Sequence, residues 1–87
     1  MKITKIAKAG TLESNDIFIL VMPNESGEVE LELESIVMPQ FGDVIERMIL
    51  HKVNEMGVEG LTIKAQDKGA LDYTIGARVE TAIRRAI

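Results

Sequence analysis

The run Ile17-Phe18-Ile19-Leu20-Val21-Met22 constrains the fold of this chain more than any other stretch. Its apolar residues are consecutive, half of them are β-branched, and Pro23 stops the run. No position is left to face water, which suits a strand in the interior of a sheet, apolar on both faces. Ahead of it lies Gly10-Thr11-Leu12-Glu13-Ser14-Asn15-Asp16. That segment has neither a helical stripe nor strand alternation, so it is expected to be an exposed lead-in whose Thr11 and Ser14 hydroxyls face water.

The remaining elements follow from periodicity. Residues 2–9 are weakly patterned and fit either an extended lead-in or a strand. Pro23-Asn24-Glu25-Ser26-Gly27 has turn chemistry. Glu28 to Glu34 alternates strictly, with Val29, Leu31 and Leu33 on one side and glutamates on the other, which is a half-buried strand with a solvated acidic face. Pro39 suits the first turn of a helix, and Phe41, Val44, Ile45, Met48, Ile49, Val53 and Met56 then recur at helical spacing up to Gly57. Leu61, Ile63 and Ala65 alternate as another strand. After a turn at Asp67-Lys68-Gly69, a second helix is expected from about Ala70 to the C-terminus, carrying Leu71, Ile75, Val79, Ala82, Ile83 and Ala86 inward.

The order ββαβα reads as an α/β (α+β) two-layer sandwich. A hairpin followed by a right-handed crossover gives a three-stranded mixed sheet with the first strand central, a split β-α-β core. Both helices should cover one face of it. At 87 residues the chain has room for a single domain, 1–87.

Composition narrows the function. The chain has no cysteine, which removes disulfides, thiolate metal sites and cysteine nucleophiles together. If it handles thioesters, the sulfur must belong to an attached group. A net charge of −4 argues against a nucleic-acid partner, and Arg84-Arg85 is better read as a cationic helix end. No apolar run approaches the roughly 20 residues that span a bilayer. The N-terminus, with Lys2, Lys5 and Lys8 among apolar residues, lacks the core of a signal peptide, so the cytoplasm is the expected location.

Few residues suggest chemistry on their own. His51 is the single histidine and has no cysteine or second histidine at ligand spacing, so a surface helix position is expected and a metal site is not. The glutamates of the second strand form a flat solvated row, unlike a paired-carboxylate centre. Ser14 lacks a Gly-x-Ser-x-Gly elbow and a local histidine, which rejects a serine hydrolase. Asp67-Lys68-Gly69-Ala70-Leu71-Asp72 places a lysine and backbone amides at the expected start of the last helix, an arrangement suited to anions. Capping by Asp67 explains the same residues more simply.

Taken in order, several stretches resemble one family. They are Ala9-Gly10-Thr11-Leu12-Glu13-Ser14 with Asp16, Gln40-Phe41-Gly42-Asp43 with Ile45 and Ile49, and Gly57-Val58 with Gly60. Asp67 to Asp72 and Ala77-Arg78 with Glu80 complete the set. The chain is similar to the citrate lyase acyl carrier (gamma subunit) family over almost its whole length. Residues 17–36 match in pattern more than in identity, and members often run somewhat past the position of Ile87.

The resemblance implies a carrier, not a catalyst. By motif position Ser14 would hold, through a phosphodiester, an arm derived from 2'-(5''-triphosphoribosyl)-3'-dephospho-coenzyme A, whose thiol carries acetyl or citryl. Lys68, Gly69 and Ala70 are expected to contact phosphates of that arm. The implied partners are the alpha (acyltransferase) and beta (lyase) subunits of citrate lyase and the prosthetic-group transferase, with no nucleic acid or membrane. Two alternatives remain: the carrier subunit of malonate decarboxylase, with a similar arm, and an unmodified α/β interaction module.

Overall fold

In the computed structural model, which describes residues 1–87, the apolar run divides into two faces. Ile17, Ile19 and Val21 are fully buried, whereas Phe18, Leu20 and Met22 are only partly covered. The strand is therefore interior by its neighbours and two-sided by its packing. One face meets the helices and the other is a partly open sheet surface.

Six elements follow in order: β1 (Ala7–Ala9), β2 (Ile17–Pro23), β3 (Val29–Ser35), α1 (Met38–Met56), β4 (Leu61–Asp67) and α2 (Asp72–Arg85). The sheet has four strands, not three, in the order β1-β2-β4-β3. β1 pairs antiparallel with β2, setting Ala7 opposite Val21 and Ala9 opposite Ile19. On its other side β2 pairs antiparallel with β4, and β4 pairs parallel with β3.

The expected β2–β3 hairpin and split β-α-β core are thus corrected. β4 lies between β2 and β3, so the parallel strands joined by α1 are direct neighbours. The reason is the edge that β1 occupies. With one side of β2 taken by β1 and the other by β4, β3 is displaced to the far edge. Asn24 to Glu28 can step over β4, because two strand spacings are only about 10 Å. Asn24 fixes that step: its amide donates to the Gly60 carbonyl, and its side chain donates to the Glu28 carbonyl and to Thr62. β3 suits the edge, since Glu30, Glu32 and Glu34 are exposed and discourage further pairing.

Both helices cover the same face. α2 lies over β1 and β2, α1 over β3, and the helices pack on each other. The rows Ala7–Val21–Ile63–Leu31 and Ala9–Ile19–Ala65–Leu33 form the floor beneath them. Ile49, Val53, Ile75, Val79 and Ile83 fill the layer above. α1 ends where the sequence places its stop: Gly57 takes φ 68 and its amide closes on the Asn54 carbonyl. α2 begins at Asp72, two residues later than expected, because Leu71 is extended and acts as the N-cap. The stripe on α1 is broader than its buried face. Ile45, Ile49 and Val53 are buried, but Phe41 and Val44 remain 54% and 39% exposed.

The packing sets one expectation. Ile63→Ala, at a fully buried position on β4, should destabilise by about 2–5 kcal/mol. Glu32→Ala on the open face should stay within about 0.5 kcal/mol. Urea denaturation of both variants checks this, and comparable losses would mean that β3 and β4 are wrongly registered.

Candidate functional site

Gly10 to Asp16 is the loop of the β1–β2 hairpin, and Ser14 lies in its tip. Its base is built by Gly10 and Asp16. Gly10 sits at φ +87, and a Cβ there would overlap the Ile17 carbonyl oxygen and come 3.3 Å from the Arg78 side chain. Only glycine lets the chain pass so close to β2 and α2.

Asp16 gathers the loop around one carboxylate. Its Oδ2 accepts the Thr11 amide at 3.1 Å, the Thr11 hydroxyl at 2.7 Å and Arg78 Nη2 at 3.2 Å. Oδ1 accepts the Ile17 amide at 2.8 Å and Arg78 Nε at 3.1 Å. Burial disfavours the charge on Asp16, but the bonds from Arg78, Thr11 and the Ile17 amide outweigh it and hold the pKa at about 2. The Asp16 side chain is 13% exposed and the Arg78 side chain 41%. The forked guanidinium thereby ties the hairpin loop to α2.

The tip is made differently. The Glu13 amide donates to the Thr11 hydroxyl at 3.2 Å, and the Asp16 amide to the Glu13 carbonyl at 3.2 Å. Ser14 and Asn15 therefore occupy the centre of a tight turn, with Asn15 at φ 65, a conformation that asparagine tolerates. Thr11 and Ser14 are both exposed, but their hydroxyls differ in use. That of Thr11 is engaged by the loop, and that of Ser14 is left to solvent.

Two backbone bonds dock this loop against the turn before α2. The Asn15 amide donates to the Lys68 carbonyl at 2.8 Å, and the Lys68 amide to the Asp16 carbonyl at 2.9 Å. A Cβ on Gly69 would lie 3.7 Å from Asn15 Oδ1. Ser14, Lys68 and Gly69 thus share one end of the molecule. Ala70 is near but its amide is not free, because it donates to Asp67 Oδ1 at 3.0 Å. Asp67, only 2% exposed, also accepts the Ser35 hydroxyl at 2.7 Å. Gly69 and Ala70 precede α2, so neither offers a first-turn helix amide. The anion-binding character expected there rests on Lys68 and the Gly69 amide alone.

His51 is exposed on α1, with its Nε2 3.6 Å from Glu55. The structural roles of Asp16, Arg78 and Asn15 were not evident from the sequence. Asp16 and Arg78 stood in the stretches that carry the resemblance, but nothing in local patterning joins residues so far apart.

Residues 4–86 match the family model of the malonate decarboxylase delta subunit (MdcD), an acyl carrier protein (ACP) family. The citrate lyase acyl carrier protein of Halothermothrix orenii is 48% identical over 86 residues, covering 99% of this chain and 90% of that protein. The protein of that name from Vibrio cholerae is 46% identical, covering 99% and 88%. The Streptococcus equi subsp. equi protein is 49% identical, covering 99% and 84%. Among solved structures, a chain of a Pseudomonas malonate decarboxylase hetero-tetramer has a TM-score of 0.83 at 18% identity, over 95% of this chain and 84% of that one. This likeness concerns the fold. The relatives are named acyl carrier proteins, which makes the role that of a non-catalytic carrier. The chain belongs to the acyl carrier family that includes the citrate lyase acyl carrier proteins.

The Asp16 contacts give a pH dependence with a definite sign. The folded-state pKa of about 2 lies below the ordinary value of 3.8. The contribution is therefore complete above about pH 5 and is lost as pH falls from about 4 to about 2. Asp16→Asn should lose about 1.5–3 kcal/mol at neutral pH, the scale of hydrogen bonds to a charged group. That difference should shrink toward pH 2. Denaturation curves of both proteins across this range check it, and a constant difference would refute the assignment.

Proposed function

We propose that this chain is the acyl carrier subunit of citrate lyase and that Ser14 is the attachment point of its prosthetic arm. The observation that carries the reading is the combination of an exposed, unengaged Ser14 hydroxyl at the tip of a braced loop with near-full-length identity to citrate lyase acyl carrier proteins. The arm, derived from 2'-(5''-triphosphoribosyl)-3'-dephospho-coenzyme A, supplies the thiol that this chain lacks, and acetyl or citryl travels on it as a thioester.

The residues present fit such a group. Ser14 offers an oxygen that no intramolecular bond holds back, on a turn that a transferase can reach. During attachment Ser14 Oγ forms a bond to phosphorus, the bond to pyrophosphate breaks, and the hydroxyl proton passes to the transferase or to water. The resulting diester carries negative charge. Lys68 and Gly69 belong to the turn docked against the loop at Asn15, which supports a role for the Lys68 ammonium and the Gly69 amide in offsetting it. Arg78 is fastened to Asp16 through Nε and Nη2.

The partners are the alpha subunit, which exchanges acetyl for citryl, and the beta subunit, which cleaves the citryl group to oxaloacetate and leaves acetyl. The complex works in the cytoplasm. The family description and the Pseudomonas structure favour a second reading, the carrier of malonate decarboxylase. The relatives at 45–49% identity favour citrate lyase. The subunits that co-purify with the chain from its host separate the two.

Ser14→Ala should fold with stability within about 0.5 kcal/mol of the parent, as for most exposed substitutions. Treated with the transferase and its nucleotide donor, it should gain no arm mass, whereas Thr11→Ser should still be loaded. Intact-mass spectrometry decides between them. Stoichiometric loading of Ser14→Ala would move the site elsewhere.

A further inference from the structure

Beside the Ser14 loop, a groove of about 290 Å³ opens between α1 and the turn before α2. Gly69 and Ala70 border it, and Phe41, Val44, Met48 and Ile75 are among its mostly apolar walls. The groove continues, across the shared residues Val44, Met48 and Asp72, into a hollow of about 390 Å³ edged by Arg47, His51 and Lys52. Together they form a trough between the helices. Along α1, from Phe41 to His51, it covers about 15 Å at the rise of an α-helix.

Three observations bear on what fills it. The apolar end adjoins the Ser14 loop, because Gly69 lies against Asn15. Phe41 and Val44, on the same apolar stripe as buried Ile45 and Ile49, are left exposed and line the groove. The far end holds one uncommitted cation. Lys52 is paired with Glu55 at 2.9 Å and Glu80 at 3.5 Å, and His51 has Glu55 at 3.6 Å, but Arg47 has no ion pair. Asp72 lines both sections and so favours carboxylates in neither, which leaves Arg47 as the group that attracts them at the far end.

We propose that this trough is a resting site for the chain's own loaded arm, its apolar section against the alkyl-amide part and thioester, its Arg47 end facing the free carboxylates of a citryl load. The inference rests on the Ser14 reading above. An acetyl load lacks those carboxylates and so engages the apolar section alone. Burial there keeps water from the thioester between visits to partner sites. The occupancy is an equilibrium, so a partner that binds the extended arm draws it out.

The chain has no cysteine, so when the arm is attached without an acyl group its thiol is the only thiol of the protein. After attachment of the unacylated arm is confirmed by mass, the rate of that thiol with 4,4'-dithiodipyridine is compared with that of free pantetheine. An arm at rest about four-fifths of the time should react about fivefold more slowly than pantetheine. Val44→Asp and Phe41→Ser, both at exposed positions, should bring the rate back to that of pantetheine while amide spectra of the unloaded variants stay folded. Amide shifts between unloaded and loaded wild type should appear at Val44, Met48 and Gly69. Arg47→Gln should alter those shifts for the citryl-loaded form and leave the acetyl-loaded form unchanged. A wild type with the unacylated arm that reacts as fast as pantetheine, with shifts confined to residues 10–16, would overturn the proposal and leave the Ser14 reading intact. Groove shifts that arise only when partner subunits are added would overturn it too. Absence of loading at Ser14 would overturn both.

Discussion

The carboxylate of Asp16 accepts five hydrogen bonds, from Thr11 twice, from the Ile17 amide and from two nitrogens of Arg78. Those donors come from the start of the loop, from the strand that follows it, and from α2. One side chain thus closes the hairpin loop on itself and fastens it to the helix layer. Ion pairs in the open contribute little. This one differs, because the carboxylate is mostly covered and every oxygen is satisfied in a forked geometry. Its consequence is mechanical. The loop has a fixed base on which a short turn can present Ser14 to solvent without the whole segment wandering.

That base depends on the shortest strand. Only because Ala7–Ala9 pairs with β2 is the segment before Ile17 a hairpin loop held at both ends. A free lead-in would hold Ser14 at one end only. The same pairing occupies the edge of β2 and displaces β3 beyond β4. The sheet order and the placement of Ser14 therefore share one cause. β4, extended antiparallel to β2 as far as Asp67, then delivers Lys68 to the loop as a continuation of the ladder.

The elements with a strong period were legible in the sequence. β2, β3, α1, β4 and α2 stand within a residue or two of where alternation, helical spacing, Pro39 and Gly57 put them. β1 was not, because three residues of which two are alanine carry no readable alternation. Strand order was not, because it depends on which strand occupies which edge, a comparison between segments far apart in the chain. Ser14 could be singled out by resemblance and by its polar surroundings, but Arg78 is 62 residues from its partner Asp16. Likewise Phe41 and Val44 could be recognised as apolar on the helical stripe. Their exposure follows from where α2 begins and how far it covers α1, which periodicity does not report.

A carrier must also leave its cargo alone. The groups nearest Ser14, the proposed attachment point, are poor reagents for hydrolysing either the phosphodiester or the thioester that the proposal places there. Asp16, the carboxylate at the base of the loop, is held near a pKa of about 2 and its lone pairs are engaged, so it is a weak general base. The Thr11 hydroxyl donates to that carboxylate and accepts the Glu13 amide, which withholds it as a nucleophile. The single histidine, His51, lies on α1 beside Glu55 and outside the loop. The bonds that stiffen the base of the loop are thus the bonds that disarm it, and a rigid support and an inert one are here the same structure.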